Sequence, residues 1–66
     1  MIFADPNDFD VNLAAGTATH LTGPVAIFED HGVLSAIMNP DLFPGPIESL
    51  ELAATIAMNR ARTRAK

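Results

Sequence analysis

The chain contains no cysteine, only two histidines, and no lysine or arginine before position 60. Without cysteine there are no disulfides and no thiolate metal sites. Any argument for an oxidising compartment goes with them. With so few histidines, a metal cluster would depend on carboxylates. The first ten residues, MIFADPNDFD, lack a basic region and an apolar run, so no secretory leader is expected. Residues 11–28 carry no formal charge, but they include Asn12, His20, two glycines and Pro24. A span of about 20 mostly apolar residues is needed to cross a bilayer, so no membrane partner is expected and the protein reads as soluble. No Walker, Rossmann, zinc or EF-hand pattern occurs, and the four glycines are scattered rather than gathered into a phosphate loop. Ser35 and Ser49 lack a nucleophile elbow. The expectation is a protein without catalysis and without a cofactor.

What is present is one small apolar domain. The chain has 66 residues, 48% of them hydrophobic and 18% charged. That is too apolar for intrinsic disorder. A chain of this length buries only about 60% of its unfolded surface and needs a staple. With disulfides excluded, association is the staple that remains. The net charge of −4 hides an asymmetry. All eight acids lie between Asp5 and Glu51, and all four cations (Arg60, Arg62, Arg64 and Lys66) lie at the end. An acidic body argues against broad nucleic-acid binding by the domain itself.

Asp5-Pro6-Asn7-Asp8 is compatible with a capped helix start. The strict alternation from Asp8 to Leu13 favours a strand over 9–14, with a turn before it. Further short strands are expected over 17–21, 25–29 and 33–38, divided by Gly16, Gly23 and Gly32. Gly32 suits the left-handed position of a three-residue hairpin loop. Asn39 to Pro46 holds three prolines and reads as a loop, anchored by Leu42 and Phe43. A helix is expected over 47–62, with Glu48 and Glu51 early and arginines late, matching the macrodipole. Ile47, Leu50, Ala54, Ala57, Met58 and Ala61 form one stripe, and Leu52 and Ile56 a second row. The fold class is therefore α+β: an antiparallel meander of three or four strands, a proline-rich loop and one C-terminal helix. Residues 1–62 make the domain, and 63–66 a basic tail, frayed or extended.

The strands over 25–29 and 33–38 are apolar on both faces. Both faces of that part of the sheet then need cover, and the chain supplies one helix. Either a partner such as another copy covers the second face, or loop 39–46 folds over it. Val25, Ile27, Phe28, Leu34, Ile37, Leu50, Ala54, Ala57 and Met58 are the expected subunit-interface residues. Glu29-Asp30-His31 sets two carboxylates beside an imidazole, but reads first as a polar hairpin turn. His20 lacks ligand companions and reads as a strand histidine. The tail of Arg60, Arg62, Arg64 and Lys66 has three readings: charge compensation at a helix end, grip on an acidic partner, or contact with nucleic-acid phosphates. No aromatic lies near it to stack on bases.

The pieces Phe3-Ala4-Asp5, Ala18-Thr19, Gly23 and Val25-Ala26-Ile27-Phe28-Glu29-Asp30 follow one another over residues 2–32. In that order they resemble the N-terminal half of phage head–tail joining proteins. Where that family carries Gly before Ile, this chain has Ala26. The second half departs from the family, with a proline loop and an Ala-rich helix in place of further strands. The resemblance implies a non-enzymatic structural subunit of a virion, at the head–tail connector or tail. It further implies copies arranged around the axis through which DNA passes, with other virion proteins as partners and assembly in the host cytoplasm. The alternative is a small regulatory or binding module whose basic tail contacts nucleic acid or an acidic protein.

Overall fold

The computed structural model describes residues 3–29 and 32–64. Four antiparallel strands are ordered β1-β2-β3-β4, and one helix follows, so the α+β class holds. The strands are β1 (Phe9–Asn12), β2 (Thr17–His20), β3 (Val25–Phe28) and β4 (Leu34–Met38). The helix α1 runs Ile47–Arg64.

Both readings of the N-terminal segment are realised in succession. Asp5 caps a single 3-10 turn over Pro6–Asp8, its Oδ1 accepting the Asn7 N–H at 2.8 Å. The alternating strand then begins at Phe9. It stops at Asn12 rather than at 14. Asn12 diverts its carbonyl to the Gly16 N–H (2.9 Å) and its side-chain oxygen to the Ala15 N–H (3.1 Å), which turns the chain. Leu13 is left in the turn, exposed. At the next turn Gly23 has φ +117°, and a Cβ there would come within 2.7 Å of Leu42 Cδ1. At the β3–β4 connection Gly32 has φ +76°, the left-handed conformation expected of it. Asp30 and His31 lie outside the described residues, so the Glu29-Asp30-His31 group is seen only through Glu29.

Register fixes the two faces of the sheet. Phe9 pairs with His20, Val11 with Ala18, Ala26 with Ile37 and Phe28 with Leu34, so these eight residues share one face. The helix lies on it, burying Leu50, Ala53, Ala54, Ala57 and Met58. Ala18, Ala26, Phe28, Ala54 and Met58 form the core, with Phe9, Val11, Leu34 and Ile37 packed against it. Ala18 and Ala54 are both 0% exposed. Small side chains on strand and helix alike let the helix backbone approach the sheet closely.

Pro46 directly precedes the helix. Its carbonyl accepts the Ser49 N–H (3.2 Å) and the Ser49 hydroxyl (2.8 Å). Ser49 Oγ in turn accepts the Ala4 N–H at 3.2 Å, which ties the N-terminal segment to the helix start. The helix does not stop at 62. It includes Thr63 and Arg64, so those two residues are helical rather than frayed or extended. Thr63 Oγ1 donates to the Asn59 carbonyl one turn back, a bond available only in a helix.

The loop over 39–46 leaves β4 through Asn39 at φ 55° and makes a second 3-10 turn over Pro40–Leu42. Phe43 is buried and meets the His20 ring, with centroids 5.1 Å apart. His20 belongs to the helix-side face. The loop therefore seals one end of the existing core and does not fold over the second face of the sheet.

Candidate functional site

The second face carries Asp10 and Asn12 from β1, Thr17 and Thr19 from β2, Val25 and Ile27 from β3, and Ala36 and Met38 from β4. The pairs Thr17–Ile27, Thr19–Val25, Val25–Met38 and Ile27–Ala36 place them side by side. Polar side chains occupy the β1 side of this face and apolar ones the β4 side. Val25 and Ile27 are half-buried, Ala36 is exposed, and Met38 is 53% exposed. No described element lies over this face.

The nine expected interface residues divide accordingly. Phe28, Leu50, Ala54, Ala57 and Met58 are buried between sheet and helix. Leu34 and Ile37 pack against the same core. Helix and sheet cover these seven within one chain, so they offer a neighbour little or nothing in this fold. Val25 and Ile27 alone face outward. Ala36, Met38, Thr17 and Thr19, none of them among the nine, join them. Parity with Val25 and Ile27 through the strand pairing is what identifies them. A register shift between Ile27 and Phe28 hides that parity in the sequence of β4.

Two further surfaces flank the helix. A cleft of about 430 Å³ between the β1–β2 turn, the end of β3 and the helix is lined by Leu13, Gly16, Phe28, Glu29, Gly32, Met58 and Arg62 among others. The Arg62 guanidinium lies directly on Gly32, where a Cβ would collide with it. On the other flank, Arg60 and Arg64 border a smaller cleft with Pro6, Asn7, Phe9 and Val11. Helical spacing thus separates Arg62 from Arg60 and Arg64. Lys66 lies outside the described residues. Leu52, from the second apolar row, is 64% exposed.

His20 is the one buried polar side chain among the described residues, at 6% exposure. Its Nδ1 lies 2.9 Å from Thr22 Oγ1 and accepts the Thr22 N–H at 3.2 Å. An accepting Nδ1 assigns the ring hydrogen to Nε2. Nε2 is buried with no hydrogen-bond partner among the described residues. Phe9 and Phe43 flank the ring in edge-on geometry, at 5.0 and 5.1 Å between centroids. The imidazole thus fills an aromatic cluster at one end of the core and does not open onto a cleft.

Among the described residues, no three His, Asp or Glu side chains come together as a metal site would require. Among the described residues, no helix is long and apolar enough to cross a membrane. No family model, curated protein or solved structure matches this chain.

Proposed function

We propose that this protein is a non-enzymatic assembly subunit that works by packing the second face of its sheet against neighbouring proteins. The observation that carries this reading is the uncovered apolar half of that face: Val25, Ile27, Ala36 and Met38 in one patch that reaches onto the edge strand β4. Antiparallel sheets tolerate a solvated face when it is polar, and this one is polar only on its β1 side. Which assembly it joins is indicated by the resemblance of residues 2–32 to phage head–tail joining proteins. On that basis the subunit belongs to a virion, at the head–tail connector or tail.

The test is light scattering on the purified chain mixed with portal and tail components of a phage. A stable complex, lost when Val25 and Ile27 are both changed to Thr, is the expected result. A folded chain that joins none of these components overturns the virion assignment. A complex indifferent to both substitutions overturns the role of the sheet face.

A second reading, binding of an anionic partner through the basic end, draws on Arg60 and Arg64, which line the same cleft. It predicts binding that disappears when residues 60–66 are removed, whereas packing through the sheet does not need those charges.

A further inference from the structure

The two edges of the sheet are protected unequally. An edge strand presents a row of unpaired N–H and C=O groups, which proteins blunt with charge, proline or cover. β1 carries Asp10, follows a 3-10 turn that starts at Pro6, and has the helix packed beside that turn. β4 reads Leu34-Ser35-Ala36-Ile37-Met38, with no charge and no proline. Among the described residues, its backbone makes no hydrogen bond outside its pairing with β3. The register shift near Phe28 distorts the start of β4, and residues 36–38 form its regular part.

The geometry points to a second copy of this chain as the occupant of that edge. β4 of one copy pairs antiparallel with β4 of the other about a two-fold axis, joining two four-stranded sheets into one. The open backbone row calls for an extended strand, and a two-fold axis lets one surface serve both sides. Charge selects the sector. Each copy carries −4, so two copies repel wherever acids meet. Val25–Phe28 and Leu34–Met38 contain no charged residue, and the Glu29 carboxylate, which accepts the Ser35 hydroxyl at 3.3 Å, meets β4 near its start, so like copies approach with little repulsion at residues 36–38. A basic foreign partner would instead favour the Asp8 and Asp10 side. Pairing also brings the Val25, Ile27, Ala36 and Met38 patches of the two copies together and covers Met38. This inference rests on the reading that the protein assembles through its sheet, but not on the virion assignment.

The experiment is sedimentation equilibrium of the full chain from micromolar to millimolar concentration, together with amide hydrogen exchange. The expected species has twice the monomer mass of 7.0 kDa. Every amide of residues 36–38 should exchange slowly in it, because both sides of the strand are paired. Ala36→Lys sets two like charges close to the axis and should raise the dissociation constant by about tenfold or more. Asp10→Lys, at the other edge, should not weaken the dimer. A monomer at millimolar concentration overturns the pairing, as do a trimer or larger closed species and an association indifferent to Ala36→Lys. If Ala36→Lys does not fold, exchange in the unmodified chain decides: slow amides throughout residues 36–38 support the pairing, and an alternating fast set overturns it. A monomer that still joins virion components removes this pairing and leaves the proposed function standing. A β4-paired dimer that joins none does the reverse.

Discussion

The two faces of this sheet are built from the same four strands, yet their chemistry is inverted from the usual expectation. The covered face of β2 and β3 places alanines, Ala18 and Ala26, under the helix. The open face of β3 carries the larger Val25 and Ile27. Size alone does not decide which side of a strand is inside. The covered face needs small residues because α1 presents Ala53, Ala54 and Ala57 and comes close. The large apolar contribution comes from Phe28 and Met58 within the core, from buried Leu50, and from the Phe9–His20–Phe43 cluster at its end. The open face retains enough apolar surface for a second contact that the chain does not make with itself.

The sharpest break of this comparison is truncation on either side of it. Leu50, 1% exposed, should cost about 2–5 kcal/mol as Leu50→Ala. A chain of this length has roughly 3–10 kcal/mol of stability in all, so thermal denaturation should show that variant largely unfolded or nearly so. Ile27→Thr on the open face should change stability by only about 1 kcal/mol or less, because Thr keeps the β-branched shape. A large loss from Ile27→Thr in dilute monomer would show that the open face is covered after all.

Enlarging residues tests the same contrast from the opposite direction. Ala54→Leu inserts volume where helix and sheet are in contact and should cost about 1–3 kcal/mol. Ala36→Val on the open face should be neutral within about 0.5 kcal/mol in the monomer. Chemical denaturation midpoints compare the two directly. Equal costs would mean that the small residues of the core are not there for close approach.

His20 gives a smaller effect of informative sign. Its Nε2 is buried without a partner, and its ring is already held between two phenylalanines. His20→Phe should therefore change stability by no more than about 1 kcal/mol, with stabilisation the expected direction. The Thr22 N–H that loses its acceptor lies in an exposed turn residue, where water can replace the imidazole. A strong destabilisation measured by urea unfolding would reveal a hydrogen bond at Nε2 that matters to the fold.

The weakest expected effect concerns the basic end. Because α1 is helical through Arg64, Arg60 and Arg64 share one flank while Arg62 points to another. Any DNA binding measured against salt should have a log–log slope of about −2, from two phosphate contacts. A slope near −4 would require the end of the helix to unwind so that all four cations act together.

Much of the architecture was legible because it rests on local rules. Alternation from Asp8 to Leu13 marks β1, a glycine sits in each of the three turns, and the acids and arginines at opposite ends of α1 mark its polarity. Boundaries were less legible. Asn12 ended β1 early through bonds that either a turn or a strand could have used, and Thr63 continued the helix past its expected end. The candidate site was legible only in part. Val25 and Ile27 were identifiable as apolar strand residues, but so were Phe28, Leu34 and Ile37, and nothing in a two-sided apolar run says which parity faces the helix.

The sequence by itself determined that the chain makes a small meander of three or four strands with one helix, and more apolar strand surface than that helix can cover. Those properties follow from residue periodicity, turn chemistry and composition, all of which act over a few neighbouring residues. Only the tertiary structure decided which face α1 takes, that loop 39–46 closes the same side through Phe43 against His20, and that Val25, Ile27, Ala36 and Met38 are left outside together. These depend on strand register and on contacts between distant parts of the chain, where a shift of one residue exchanges the two faces.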